Sequence, residues 1–229
     1  MAHSTMEQKE KLWNINYVKV WLANFMIFFS FMIVTPLLPL YLSDTYSADK
    51  DTIGFVLSGY TLTALVARPL AGYLVDSYKR KVVLLTCYFL FFAFFAGYLI
   101  AGTMTLFTLV RTLHGAPMGS VTVANSTSAI DVLAPSRRAE GIGYYGLSNN
   151  LATSIAPTAG LMVYDCVGNY DTLFVIALCA AGLGFCINAS VKFPDKEIVP
   201  NKSPMSFDRF FLVEGWSEGL VMVCIGLSY

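Results

Sequence analysis

What most constrains this chain is a recurrence of long apolar stretches, each matching the ~20 residues a helix needs to cross the hydrocarbon of a bilayer. Spans are expected at 18–42, 53–75, 82–102, 104–130, 141–164 and 172–191, and a further apolar run begins near Phe210. The connections are brief: Ser43 to Thr52, Asp76 to Lys81, a turn at Gly102-Thr103, Asp131 to Glu140, and Asp165 to Asp171. Short connections make successive helices antiparallel neighbours. The expected fold is therefore all-α, a polytopic membrane helix bundle embedded in a lipid bilayer.

Composition excludes several other classes. The 229 residues are 56% hydrophobic and only 13% charged, with a mean hydropathy of +0.60, whereas soluble domains carry roughly 25% charge. There are too few charges to coat a globule. The 15 basic and 15 acidic residues cancel, which removes the bulk attraction that a phosphate-backbone binder needs, so no nucleic-acid partner is expected. Seventeen Phe and 13 Tyr exclude a disordered chain. Cys87, Cys179, Cys186 and Cys224 lie inside apolar runs and Cys166 in a polar connection; none forms a CxxC pair. No disulfide framework, metal site or cofactor is expected. The only histidines are His3 and His114, and neither a G-x-S-x-G elbow nor a phosphate-binding glycine loop is present, so an enzyme is not expected. The first apolar run is too long for a signal-peptide core and lacks a small-x-small cleavage site, which makes it a retained anchor.

Orientation follows from lysine and arginine. With a cytoplasmic N-terminus, that face holds Lys9, Lys11, Lys19, Lys79, Arg80, Lys81, Arg137, Arg138, Lys192, Lys196, Lys202 and Arg209, while the opposite face holds Lys50 alone. This bias predicts a multi-pass protein of the cell membrane, plasma or inner, with its N-terminus inside. The remaining basic residues, Arg68 and Arg111, lie within spans.

Arg111 sits about seven residues, or ~10 Å, inside its span, where an arginine should face protein or water rather than lipid. Helical spacing puts Arg111, His114, Met118, Thr122 and Asn125 on one face, which is expected to border a solute cavity; the alternative for Arg111 is a static helix contact, and His114 is either a titrating neighbour or a structural one. Asn24, Asn125 and Asn149-Asn150 are amides at or near membrane depth, where bonding between helices is the commoner use of an isolated amide; Asn24 and Asn149 are the favoured cavity residues. The Phe89 to Phe95 stretch is expected to face lipid or pack. No Asp or Glu falls inside the spans away from their ends. A proton-carrying carboxylate is thus missing from this part, and neutral or anionic solutes fit better than cations. Arg68, Gly72 and Asp76 recur along one stripe of the second span, where Arg68 either snorkels to the headgroups or belongs to a gate. An echo between Pro69-Leu70-Ala71-Gly72 and Pro157-Thr158-Ala159-Gly160 points to 3+3 inverted repeats.

The loop Gly72-Tyr73-Leu74-Val75-Asp76-Ser77-Tyr78-Lys79-Arg80-Lys81 resembles the G-x-L-x-D-R-x-G-R-K signature of the major facilitator superfamily, with Ser77 and Lys79 departing from it. Pro36 and Pro39 are similar to the P-x-x-P of exporter branches. Arg111 with Gly115 looks like R-x-x-Q-G, with His114 replacing glutamine. Gly143, Ala152, Ala156, Pro157 and Gly160 follow the spacing of the antiporter signature, with alanine at several glycine positions and close packing expected along it. The resemblance implies an alternating-access transporter of a small-molecule solute, protons being a candidate coupling ion, and a gate latch of Gly72, Asp76, Arg80 and Asp131.

It also implies twelve spans in two halves, so this chain is expected to be a fragment lacking a C-terminal six-helix half. Its parts would be an N-terminal segment at 1–17, a six-span half at 18–191, a linker at 192–209 and the start of a seventh span at 210–229. Efflux is the expected direction. The alternatives are a sugar or metabolite uptake permease of the same fold, or a non-transporting scaffold or inactive fragment.

Overall fold

The structure is a computed structural model describing residues 11–193; most of the expected linker, and the apolar run from Phe210, lie outside the described residues. In chain order the helices are α1 (Ile15–Val34), α2 (Leu38–Tyr46), α3 (Lys50–Ser77), α4 (Arg80–Ile100), α5 (Met104–Asp131), α6 (Arg138–Val167) and α7 (Tyr170–Ala189). Single 3-10 turns stand at Thr35–Leu37 and Pro135–Arg137, and no strand occurs among the described residues.

Local chemistry sets the helix starts. Asn14, Asp49, Thr103 and Asn169 each cap a helix by accepting a backbone N–H with the side-chain oxygen, which satisfies donors that a helix start leaves free. At Asp49 the bonds from the Thr52 side chain and backbone hold the carboxyl below its ordinary range. Gly168 ends α6 at φ 67°, a left-handed conformation that glycine adopts without a steric penalty. The first span, expected as one helix at 18–42, is instead bent and runs on to Tyr46. Pro36 lacks an N–H and crowds the preceding turn, so α1 stops at Val34 and α2 resumes beyond the 3-10 turn.

Four units are long and apolar enough to cross a bilayer by length and composition: Ile15–Tyr46, Lys50–Ser77, Arg80–Ile100 and Tyr170–Ala189. Helices α5 and α6 are equally long, at 28 and 30 residues, but serine, threonine and asparagine interleave with their apolar residues. Much of that polarity is turned inward on α5, which buries Arg111, His114, Asn125 and Ser128.

The packing has the symmetry of a duplicated unit. α5 packs on α3 and α4, α1 packs on α6 and α7, α4 touches α7, and α1 touches α5. Exchanging α1 with α5, α3 with α6 and α4 with α7 returns the same set of contacts. Because successive spans alternate in direction, the two halves of this set run oppositely, which is the 3+3 inverted repeat.

Small residues bring helices together where backbone meets backbone. A Cβ at Gly115 would strike the carbonyl oxygen of Tyr60, one at Gly119 that of Ala64, and one at Gly160 that of Ile33. These are the close approaches typical of packing in lipid, where interhelical contact relies on van der Waals fit. The echoed glycines part company here. Gly160 is locked against α1, but Gly72 has open space around its Cβ position, as does Gly143. The close packing expected along the span 5 spacing therefore holds at the buried Ala152, Ala156 and Gly160, and not at Gly143.

At the basic end the structure is tied across helices. Lys19 Nζ donates to the Ser190 carbonyl and Lys81 Nζ to the Val191 carbonyl, each at 3.0 Å. Two cations thus meet the carbonyl end of α7, whose own last turn has none. The Lys192 N–H adds a bond of 3.2 Å to Asn16 Oδ1. Beneath them Leu12, Tyr17, Val20, Ala129, Leu133 and Val191 form a small second core.

Candidate functional site

Arg111 does not border an open cavity. It is 2% exposed, enclosed by α1, α3 and α4, with its guanidinium carbon 4.0 Å from the Tyr60 ring centroid and 5.4 Å from that of Phe31. Nη1 donates to Tyr98 Oη at 3.2 Å, while Nε finds no hydrogen-bond partner among the described residues. No ion pair to Arg111 is present among the described residues. Cation–π contact with two rings and the bond to Tyr98 offset part of the cost of burying the charge, and Nε contributes nothing to that compensation in this conformation.

His114 is fully buried beside it, with the rings of Phe95, Phe91, Phe94 and Tyr98 between 4.8 and 5.5 Å away. Its Nδ1 lies 2.7 Å from Tyr98 Oη. Arginine can only donate, so Tyr98 accepts from Arg111 and passes its own proton to His114 Nδ1, which assigns the ring proton to Nε2. The histidine therefore steadies Tyr98, which steadies Arg111. Of the face Arg111, His114, Met118, Thr122 and Asn125, expected at the cavity edge, all but the half-buried Thr122 are buried in the bundle. The phenylalanine stretch divides: Phe91 and Phe95 pack inside while Phe89 is exposed.

A second buried cluster joins both repeats. Asn24 Nδ2 donates to Ser148 Oγ at 2.8 Å and its Oδ1 accepts from Tyr145 Oη at 2.7 Å. Asn125 Nδ2 donates to Tyr145 Oη at 2.9 Å, and Asn188 Nδ2 to Asn125 Oδ1 at 2.9 Å. Four helices, α1, α5, α6 and α7, are stapled by this network. Asn24 is thus held inside the bundle; Asn149, its expected companion at the cavity, stands outside the network with its Oδ1 buried and without a partner among the described residues. Tyr145, Ser148 and Asn188 went unnoticed in the sequence. Asn125→Val should cost roughly 2 kcal/mol, because it leaves Asn188 Nδ2 without its partner and takes from Tyr145 Oη the donor it accepts from. A double-mutant cycle with Asn188→Ala, read by thermal unfolding of purified protein, should show non-additivity; additive losses would mean the amides act separately.

Of the residues expected to form a latch, Asp76, Arg80 and Asp131 lie together. Arg80 pairs tightly with Asp131 at the end of α5, and its Nη2 lies 3.9 Å from Asp76. Asp131 is almost wholly covered, with 4% of its side chain exposed, against 52% for Asp76. Gly72 adds no contact to this cluster.

On two helices the exposed surface divides into a polar and an apolar stripe. On α3, Gly54, Ser58, Thr61, Leu65, Arg68 and Asp76 are exposed along one stripe, beside an apolar stripe of Phe55, Leu62, Val66 and Leu70. On α6, Gly143, Gly146, Asn150 and Ser154 form one exposed stripe and Tyr144, Leu151, Ile155 and Met162 another. The repeat exchange maps α3 onto α6, so the two-stripe design is itself repeated. Lipid accommodates the apolar stripes; an amide or guanidinium at that depth needs protein or water.

Comparison with known proteins fits this architecture. The family model described as Major Facilitator Superfamily matches residues 20–227. An uncharacterised MFS-type transporter, YfiU of Bacillus subtilis (strain 168), is 25% identical over 199 residues, covering 85% of this chain and 38% of the relative. The staphylopine export protein of Staphylococcus aureus (strain Mu50 / ATCC 700699) is 23% identical over 228 residues, covering 93% and 55%. Among solved structures, the human organic anion transporter MFSD10 superposes with a TM-score of 0.62 at 18% identity, covering 77% of this chain and 47% of that one. The chain spans about half the length of the relatives it matches.

Proposed function

We propose, since this chain belongs to the Major Facilitator Superfamily, that it supplies the N-terminal six-helix bundle of a secondary active exporter of a small neutral or anionic solute. The bundle rocks as a unit against a second bundle around a midplane site. What carries this reading is the pair of stripes on α3 and α6 that bear hydroxyl, amide, carboxylate and guanidinium groups, lie on repeat-related helices and are suited to protein or water rather than lipid. The Pro36 and Pro39 pair and the span 5 spacing support the outward direction. The bias of basic residues supports a cell-membrane location with the N-terminus in the cytoplasm. The coupling group belongs to the second bundle in this reading, because no carboxylate lies within these spans and His114 is engaged with Tyr98.

Flux in proteoliposomes made from the complete reading frame tests the proposal. Gradient-dependent movement of a neutral or anionic solute is expected, outward relative to the basic face, and none from this chain alone. Inward movement would favour a permease, and no solute flux above empty vesicles would leave a scaffold.

The Arg80 cluster serves in this reading as the latch of one conformation. Asp131→Asn, or more weakly Asp76→Asn, should shift the inward/outward balance by roughly 1–2 kcal/mol, a five- to thirty-fold change in population. Cysteine accessibility on the two sides of the membrane measures it, and an unchanged ratio would remove the latch role.

A further inference from the structure

Arg68 is exposed within α3, about nine residues or ~13 Å from the Ser77 end at 1.5 Å per residue. It makes no hydrogen bond or ion pair to another described residue. Arg68 stands one turn beyond Leu65 on the same exposed stripe, and helical side chains lean toward the N-terminus of their helix. On that side opens a groove of about 730 Å³ between α3 and α5, its walls including Ser58, Thr61, Leu65, Thr63 and Thr112. The volume suits a small organic molecule. Its lining is mainly apolar with four hydroxyls; along the stripe Arg68 follows Leu65 by three residues at one end, and the exposed Asp51 precedes Phe55 by four at the other.

We propose that this groove is an anion-binding site, in which Arg68 holds the carboxylate or sulfonate of a small organic solute and the α3 and α5 hydroxyls orient its body. Arg111 cannot take that part, because its guanidinium is enclosed by Tyr60, Phe31 and Tyr98. The inference rests on the transporter reading for its purpose, but binding is measured without transport, so the two fail separately.

The test is Thr61→Cys in a background with all native cysteines replaced by serine, the purified chain being reconstituted in lipid nanodiscs. Labelling by the anionic sulfonatoethyl methanethiosulfonate should outpace labelling by its trimethylammonium counterpart several-fold. Benzenesulfonate should protect the cysteine while benzyltrimethylammonium does not. Arg68→Gln should abolish both the preference and the protection, and Arg68→Lys should retain them, with monodisperse elution showing that each variant folds. Protection by both ions alike, protection that survives Arg68→Gln, or no labelling by either reagent would each overturn the site.

Discussion

Gly115→Val is expected to be the most damaging single substitution in the bundle, costing at least ~3 kcal/mol and lowering the unfolding temperature by about 5–10 °C. The reason is geometric. The nearest atom to a new Cβ is the Tyr60 carbonyl oxygen, with the Thr63 hydroxyl also in reach, and neither backbone can move without parting α3 from α5 along their whole crossing. Gly119, one turn on, meets the Ala64 carbonyl in the same way, so Gly119→Val should follow closely and the double variant should not accumulate as folded protein. Gly72→Ala and Gly143→Ala are the controls. Open space surrounds both, and replacing a helical glycine should leave stability unchanged or raise it by about 0.5–1 kcal/mol. Equal losses at all four sites would show that glycine matters here for backbone freedom rather than for close approach.

Arg111→Met should separate stability from transport. A buried charge lacking a full set of partners is costly, and replacing one with an apolar side chain of similar size is often neutral or stabilising. Unfolding of Arg111→Met should accordingly match or exceed that of the native chain. In the complete reading frame the same change is expected to reduce solute flux at least ~10-fold, because Arg111 links α1, α3 and α4 through Phe31, Tyr60 and Tyr98, and its unused Nε–H is free to pair in another conformation. Arg111→Lys keeps the charge but loses the planar stack on Tyr60, so it should recover little flux. Native flux from Arg111→Met at native expression would reduce Arg111 to a packing residue.

Much of the architecture was legible in the chain because each cue is local. Spans follow from runs of apolar residues, antiparallel order from short connections, and the Asp76, Arg80 and Asp131 cluster from charges at helix ends. The direction in which α5 turns its polar face was not legible. That helix carries small and polar residues all round, so periodicity does not distinguish a cavity wall from a helix contact. Tyr145, Ser148 and Asn188 escaped for another reason: their partners lie on other helices, and only the packed bundle brings them together. Gly119 could have been found, since its four-residue spacing from Gly115 is the small-x-x-x-small pattern of close helix pairs. The repeat was visible as four echoed residues, yet the different uses of Gly72 and Gly160 required the packed structure.

The fastening of α7 by Lys19 and Lys81 bears on how force passes through the molecule. One lysine belongs to α1 and the other to α4, both in the first repeat unit, so that unit grips the end of α7, the last helix of the second. A tug on whatever follows is delivered to the entire assembly at once and does not peel away its last rod.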